Sequence, residues 1–479
     1  MPNYSAFFII RVNMVKRLTL VDIGVVLVMG ILLYCGVSGQ VFLWYTDVGK
    51  YQCYSVAFWH GIAALKTLPV PAIQCQFITQ PRSDMVFITT DTLVHVMKVH
   101  DIPHWLIAFV ASQAPTEPLH ALPHEYPLLT LIPFAFGLVL SAHWYQIAFA
   151  IAMAVCAGVI YFMLKTWRSR EAALAFALFT VVGCWATAAA RYDILPAGFT
   201  LAALLCAERR RWYWAFAMLA VATMFKFYPI VLLPVFFIAQ HKSRYMRWTK
   251  WWRGLDVFVL VCSAITTLSL LLSVEGTLAP LGYFGNRPIQ VESSAASLLW
   301  LASFFGFPLH YSTTYGSLNV LSALSGIVSP LMTILLLVGI GYVCWLQWRG
   351  RITLSVALLL VLLVVICTGK VFSPQYLLWI IPIVAYVGEC KWRWLLSWTG
   401  IGVLTTWIFP YIYSATTSFI RVATVPTFNP VVLTRNVLLV AFTLTLLYHY
   451  TVYRKKAVIT LPLMQIEERE AVVSMAQAD

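Results

Sequence analysis

Charge is scarce in this chain. Charged residues make up only 10% of the sequence, whereas hydrophobic residues make up 61%. The mean hydropathy is +0.82. A water-soluble domain could not bury that much apolar surface in one core. The composition therefore excludes a soluble protein and indicates an integral membrane protein with several spans.

Motifs of several common enzyme classes are also missing. The sequence has no Gly-rich phosphate loop, no HExxH, no paired CxxC and no GxSxG nucleophile elbow. Its clustered histidines are irregularly spaced, which favours surface positions over metal ligands. They are His95, His100, His104, His120 and His124. We therefore expect no metal, no other cofactor and no nucleotide site of the soluble kind.

The positive charge is organised by position. The net charge of +14 comes from short basic clusters between apolar segments, such as Lys16-Arg17, Arg209 to Arg211 and Lys391 to Arg393. This arrangement follows the positive-inside rule of membrane proteins and does not favour nucleic-acid binding. We therefore expect the clusters and both termini to be cytoplasmic.

Apolar segments of about 20 residues predict the spans. The fold class is an all-α polytopic membrane protein with about 12 transmembrane helices. The first segment is too long for a signal peptide and lacks a cleavage site, so we expect it to be retained. The predicted spans are residues 20–44, 143–164, 171–190, 193–207, 212–226, 229–240, 255–274, 326–346, 353–369, 375–388, 394–413 and 433–453.

Residues 1–458 are expected to form one membrane domain, followed by a cytoplasmic, disordered tail at 459–479. The large loop 45–142 then lies outside the cytosol. Its apolar stretch 127–140 could cross or re-enter the membrane, and we interpret it as a re-entrant or juxtamembrane helix because a crossing would invert all later basic clusters. Cys53 and Cys75 lie in the same loop, where a disulfide and two free thiols are both consistent with the sequence.

The polar residues collect at the predicted outer ends of the helices. Asp47, followed by Lys50 and Tyr51, could act as a general base on a lipid-borne substrate, or it could be a solvated helix-end carboxylate. Arg191 and Asp193 could face a cavity, or they could neutralise each other between two helices.

Two lysines recur at similar outer turns. Lys226 precedes Tyr228, and Lys370 precedes Gln375. Each lysine could bind a phosphate or extend to the membrane surface. In the loop 275–325, polar residues precede an apolar half-segment that is too short to span, which indicates the lining of a cavity.

The order and spacing of these stretches resemble glycosyltransferase family 87, which has the C-type (GT-C) glycosyltransferase fold. The matching stretches are Asp47-Val48-Gly49-Lys50-Tyr51, Glu125-Tyr126-Pro127-Leu128, Arg191 to Pro196, Lys226-Phe227-Tyr228-Pro229, Arg287 to Ser293 and Lys370 to Tyr376. The stretch at Glu125 departs from the family's usual form, in which a second proline follows the first.

The resemblance implies a membrane hexosyltransferase that moves a hexose from polyprenyl phosphate to a lipid or glycan acceptor outside the cytosol. The expected hexose is mannose. Asp47 would be the base and the reaction would invert the anomeric carbon. From charge and depth we assign the leaving phosphate to Lys226 and Lys370. The other predicted substrate-binding residues are Tyr51, Tyr126, Arg191, Asp193, Tyr228, Arg287, Glu292 and Gln375.

Two alternatives belong to other classes. A transporter or flippase of a lipid-linked or anionic solute would need charges near the middle of the membrane and a symmetric pair of broken helices. A surface-polysaccharide ligase or polymerase would share the substrate class, but would not need Asp47.

Overall fold

The computed structural model describes residues 19–39, 46–68, 72–79, 89–243 and 252–453. The predicted tail at 459–479 and the end of the first predicted span lie outside these residues. The α-helices α1 to α19 are Leu20–Ser38, Asp47–His60, Gln76–Thr79, Thr90–Val99, His104–Ala111, Leu131–Phe136, Tyr145–Trp167, Arg170–Cys184, Ile194–Glu208, Trp212–Phe225, Leu233–Lys242, Arg253–Leu272, Val274–Asn286, Ser294–Ser303, Ser325–Trp348, Leu354–Thr368, Leu377–Gly388, Trp392–Thr406 and Phe428–Tyr448.

Each of the twelve predicted crossings coincides with a helix. Within the described ranges, six helical segments are long and apolar enough to span a membrane: Leu20–Ser38, Ala142–Trp167, Arg253–Leu272, Ser325–Trp348, Trp392–Ile412 and Phe428–Val452. The other predicted crossings are α8 to α11, α16 and α17, which have 10 to 15 residues. The chain is therefore an all-α polytopic membrane protein.

The long and short helices occupy different places. Side chains of α16 and α17 are buried along almost their whole length. In contrast, α12 and α15 expose large apolar side chains such as Leu260 and Leu337. A helix of 15 residues is about 22 Å long, less than the roughly 30 Å hydrocarbon core. The short helices α16 and α17 are thus enclosed by protein, whereas the long helices α12 and α15 present the apolar surface that suits contact with lipid.

The stretch predicted as a re-entrant or juxtamembrane helix is a short apolar helix, Leu128–Val139. It consists of α6 between two 3-10 turns, and Pro127 precedes the first of them. Its length is about 18 Å at 1.5 Å per residue, which is shorter than the hydrocarbon core of a membrane, as are the short helices α8 to α11, α16 and α17. The Tyr145 hydroxyl donates to the Phe134 carbonyl at 2.7 Å and fixes this helix to the start of α7.

The large loop is cross-linked and attached to the helices. A disulfide joins Cys53 in α2 to Cys75. Further along, the Gln113 side chain donates to the Leu270 and Leu271 carbonyls at 2.9 and 3.0 Å and accepts from the Val274 backbone at 2.9 Å. The loop is therefore fastened to the bend between α12 and α13.

A small antiparallel sheet covers part of the same end of the molecule. Strands β1 (Ile289–Gln290), β2 (His310–Thr314) and β3 (Ser317–Leu321) pair in the order β1-β3-β2. The predicted half-segment after β1 is α14, and together they form a second apolar core that includes Leu299 and Val320. The polar stretch 287–293 is thus held rigidly against the ends of the helices.

A buried charge cluster lies at the other end of α7 from Tyr145. Asp22, in the first turn of α1, is fully buried and contacts the Lys165 ammonium. Arg170 lies 3.5 Å from the same carboxylate, and the Tyr161 hydroxyl donates to it at 3.1 Å. Because the carboxylate is paired and hydrogen-bonded, its burial is compatible with a stable fold.

Candidate active site

Asp47 is the first residue of α2. The Thr46 side chain caps this helix by accepting from the Gly49 backbone at 3.1 Å. Unpaired backbone amides and the helix dipole favour a negative charge at a helix N-terminus. The sequence predicted that Asp47 follows the first span, and the structure shows that a new helix, rather than the end of α1, holds it.

Two cations surround the Asp47 carboxylate. Arg191 Nη2 lies 2.5 Å from Oδ2, and Lys50 Nζ lies 3.5 Å from Oδ1. The Asp47 side chain is 26% exposed. Burial alone would raise the pKa of the carboxyl, but Arg191, Lys50 and the more distant Lys226 lower that pKa to about 2. The carboxylate is therefore ionised throughout the physiological pH range.

The alternative in which Arg191 and Asp193 neutralise each other is wrong. Arg191 pairs with Asp47, whereas Asp193 is buried and accepts from Lys226 Nζ at 2.6 Å. The indole nitrogen of Trp379 donates to the same Asp193 oxygen at 2.6 Å. The two ionisable residues of this turn thus reach in different directions.

Lys226 does not extend to the membrane surface. Only 9% of the surface of Lys226 is exposed. Its ammonium lies over the rings of Tyr192, Tyr376 and Trp379, at 5.3, 5.5 and 5.2 Å from the ring centroids. Tyr228 stacks on Trp379 with 4.1 Å between centroids. Lys226 is therefore an enclosed, already neutralised cation that faces the interior.

Aromatic rings form a wall next to Asp47. Tyr51, one turn after Asp47, stacks on Phe134 at 4.2 Å and meets Tyr126 and Tyr192 edge-on at 5.8 and 5.7 Å. Burial is the main cause that raises the pKa of the Tyr126 phenol well above its usual range. Tyr126 is thus a neutral hydroxyl group at this site.

Lys370 and Arg287 form a different kind of cationic site. Lys370 Nζ donates to the Gly285 carbonyl at 3.1 Å, and Arg287 lies over the Tyr283 ring at 5.5 Å. Burial and the charge of Arg287 lower the pKa of Lys370. Within the described part of the chain, neither cation has a carboxylate within ion-pair distance. This pair could attract an anion.

Glu292 occupies a different environment. It is 1% exposed, and its carboxylate pairs with Arg435 at 3.0 Å and accepts from the Tyr413 hydroxyl at 2.8 Å. Arg435 and Asn436 also donate to the Glu292 carbonyl. One carboxylate oxygen thus fastens the loop to Arg435 in α19, and the other fastens it to Tyr413. It does not place Glu292 in contact with the charged groups around Asp47.

Gln375 lies in the 3-10 turn Pro374–Tyr376, with a half-buried side chain. The next residue, Tyr376, stacks on Trp379 with 3.8 Å between centroids. Trp379 contacts both Asp193 and Lys226 but was absent from the sequence predictions, since a Trp inside an apolar helix resembles an ordinary packing residue. Its position three residues after Tyr376, on the same helix face, was the available signal.

No metal centre is evident in the described ranges, because they contain no group of three or more His, Cys, Asp or Glu residues placed to hold an ion. The arrangement instead joins a carboxylate, several cations and neutral phenols at one end of a helical membrane protein. These are groups for proton transfer and anion binding.

The sequence profile of glycosyltransferase family 87 matches residues 126–374, more than half of the chain. The crystal structure of ArnT from Cupriavidus metallidurans in the apo state is similar, with a TM-score of 0.33 and 16% sequence identity. The similarity covers 69% of this chain and 67% of that chain. Comparison with curated protein sequences gives no match.

The protein is a multi-pass membrane glycosyltransferase. More narrowly, the chain belongs to glycosyltransferase family 87, and with it to the C-type fold glycosyltransferases. The matched region contains Arg191, Lys226 and Lys370, whereas Asp47 precedes it.

Proposed function

We propose that the protein transfers a hexose from polyprenyl phosphate to a lipid or glycan acceptor on the extracytoplasmic face, with inversion of the anomeric carbon. Mannose is the hexose that we expect. The observation that carries this proposal is the convergence of Arg191 and Lys50 on a partly exposed carboxylate, Asp47, at the start of a short helix. A lipid-borne donor brings its own activating group, so the reaction needs no nucleotide site.

In the proposed reaction, Asp47 accepts the proton of an acceptor hydroxyl. The acceptor oxygen forms a bond to the anomeric carbon, the bond from that carbon to the phosphate oxygen breaks, and polyprenyl phosphate leaves with the electron pair. A carboxyl with a pKa of about 2 is a weak base, since proton transfer is most efficient when the pKa is near the working pH. The negative charge of a bound donor phosphate would offset part of the positive charge of Arg191 and so raise the basicity of Asp47.

The cations of the site differ in how well they could bind the donor phosphate. Lys370 and Arg287 are cations without an ion-pair partner among the described residues, and Lys370 keeps only a neutral carbonyl as its hydrogen-bond acceptor. Lys226, the other predicted phosphate ligand, is paired with Asp193. We therefore assign direct phosphate contact to Lys370 with Arg287, and a longer-range electrostatic role to Lys226.

The proposed orientation places Asp47 outside the cytosol, both termini inside and residues 1–458 in one membrane domain. The disulfide between Cys53 and Cys75 supports this orientation, because disulfides persist in oxidising compartments. The basic clusters at the other helix ends support it through the positive-inside rule.

The experiment is transfer of labelled mannose from synthetic polyprenyl-phosphate-mannose into lipid extract by the purified protein in nanodiscs. Asp47→Asn keeps the side-chain volume but removes the base, so we expect turnover to fall by at least 100-fold while donor binding persists. Asp101→Asn, at an exposed position with a left-handed backbone that Asn tolerates, is the matched control. Near-wild-type turnover of Asp47→Asn would refute its catalytic role.

The same assay tests the phosphate site. Lys370→Ala should raise the KM for the donor about tenfold or more, because it removes a charge-assisted contact. An unchanged KM for the donor would show that the phosphate binds elsewhere. Failure of the wild type to transfer any of a panel of polyprenyl-phosphate hexoses would refute the proposed reaction.

A further inference from the structure

Glu125 has no role in the reaction described above. Its side chain is half-buried directly before Tyr126. Its carboxylate lies under the same turn as Lys50, the ion-pair partner of Asp47, and its negative charge acts on Tyr126, Tyr283 and Arg287. Among the described residues, its carboxylate makes no hydrogen bond and no ion pair. A carboxylate with open acceptor positions therefore lies a short distance from Asp47.

The turn between β2 and β3 covers Glu125. Tyr315 and Gly316 both have left-handed backbones, with φ of 53° and 65°, as in a two-residue type I′ hairpin turn. Asn, Asp or Gly normally occupies the first of these positions, so Tyr315 is an unusual choice. The Tyr283 hydroxyl donates to the Tyr315 carbonyl at 2.5 Å, and Asn319 donates to the Thr314 carbonyl at 2.9 Å. The turn is thus held firmly in place.

Gly316 lets the turn lie close against two charged groups. A Cβ at this position would lie 3.1 Å from Lys50 Nζ and 3.7 Å from Glu125 Oε1. The ammonium and the carboxylate therefore both lie under the turn, and a side chain here would press on them. The left-handed φ would admit Gly for conformational reasons alone, but the short distance to Lys50 adds a second reason.

The Glu125 carboxylate and the Lys50 ammonium suit the hydroxyl groups of a sugar. A carboxylate can accept hydrogen bonds from two neighbouring hydroxyls, whereas an ammonium donates to hydroxyl or ring oxygens. Tyr126 is the next residue, and Tyr283 packs on Tyr315 of the turn with 5.5 Å between ring centroids, so both can add apolar ring faces. A phosphate would be repelled by Glu125, so this region complements the cationic pair at Lys370 and Arg287.

We propose that Glu125 and Lys50, beneath Gly316, form a subsite that binds the hydroxyl groups of a sugar ring. The inference rests on the proposed function, since it assigns part of the same site. The sugar belongs either to the donor or to the acceptor, and both present the same chemistry to Glu125 and Lys50. Glu125 is then a specificity-determining residue that holds substrate, while Asp47 takes the proton.

The test uses Glu125→Gln, which keeps the shape but loses the charge. Loss of a charge-assisted hydrogen bond should raise the KM for one sugar substrate about tenfold to a hundredfold, with a smaller change in kcat. A raised KM for polyprenyl-phosphate-mannose identifies the donor sugar, and a raised KM for the acceptor identifies the acceptor sugar. Glu117→Gln, an exposed glutamate of the same loop, is the matched control and should change neither value.

Gly316→Ala separates occupied space from backbone strain. Gly306 also has a left-handed backbone, with φ of 90°, but a Cβ there would meet nothing within 4 Å. Gly316→Ala should therefore raise the same KM as Glu125→Gln, whereas Gly306→Ala should not. Lower thermal stability with both KM values unchanged in Glu125→Gln and Gly316→Ala would mean that the two residues serve the fold alone, and would overturn the proposal.

A binding measurement keeps this test apart from the test of the reaction. Polyprenyl phosphate with and without mannose, and methyl mannoside as a free sugar, are titrated against wild type and Glu125→Gln. Glu125→Gln should reduce the affinity that mannose adds to polyprenyl phosphate, or the affinity for methyl mannoside, even if no transfer occurs. If it binds all three ligands as the wild type does, the subsite is refuted, whatever the outcome for turnover.

Discussion

Replacement of Arg191 by Gln should change the pH dependence of the enzyme. Arg191 is the first of the cations that hold the pKa of Asp47 at about 2, below its ordinary value of 3.8. A neighbouring arginine typically lowers the pKa of an aspartate by about 1 to 3 units, or roughly 1.4 to 4 kcal/mol. Because burial remains in Arg191→Gln, the pKa of Asp47 should rise to between about 3 and 5.

The assay is kcat/KM between pH 4 and 8 in nanodiscs, since this ratio reports the ionisation of the free enzyme. The wild type should lose no activity through protonation of Asp47 in that range. Arg191→Gln should show an acid limb that begins below about pH 6, in addition to any weaker donor binding. Arg421→Gln, at an exposed position in the turn Phe419–Thr424, is the control.

The contribution of Asp47 to folding stability should also be lost at acid pH. Since folding lowers the pKa of Asp47, its contribution to stability is complete above the unfolded-state pKa near 4 and is lost as the pH falls toward about 2. The Asp47 contribution to the stability of the wild type should therefore be constant between pH 5 and 8.

In the activity assay, an acid limb of kcat/KM at the same pH in wild type and Arg191→Gln would refute the proposed control of the Asp47 pKa by Arg191.

Two further predictions concern the fold. Arg435→Met should leave Glu292 buried without its charged partner and lower the free energy of unfolding by about 3 to 5 kcal/mol. A second change, Glu292→Met, should recover most of that loss. Equal melting temperatures for the single and double variants would contradict this coupling. Cys53→Ser combined with Cys75→Ser should lower the free energy of unfolding by about 3 kcal/mol. Dithiothreitol should lower the Tm of the wild type to that of the variant and leave the Tm of the variant unchanged. No effect of either would show that the cross-link contributes little.

The positions of the helices were predictable because lipid and protein interior both require apolar side chains. Every predicted crossing therefore coincides with a helix, even where α11 or α17 is too short to span alone. Length alone did not distinguish these central helices from the lipid-facing ones. That distinction depends on which helices pack around them.

The partners of the charged residues were much less predictable. Arg191 is two residues from Asp193, yet it pairs with Asp47 in a distant part of the chain. Glu292 was assigned to substrate because the stretch Arg287 to Ser293 resembles the family pattern, and its contacts in the structure are with Arg435 and Tyr413. An arginine inside an apolar span requires a buried partner, so Arg435 was the signal in the sequence that a buried carboxylate lies against α19.

The buried cluster at Asp22 has a consequence for how the protein is assembled. The chain is synthesised from its N-terminus, so α1 reaches the membrane before Lys165 and Arg170 exist. During that interval Thr19, in the same turn, can satisfy the Asp22 carboxylate through its backbone and hydroxyl. The complete cluster requires α1, α7 and α8 together, because Lys165 and Arg170 come from the two later helices, so these ion pairs belong to a late step of assembly.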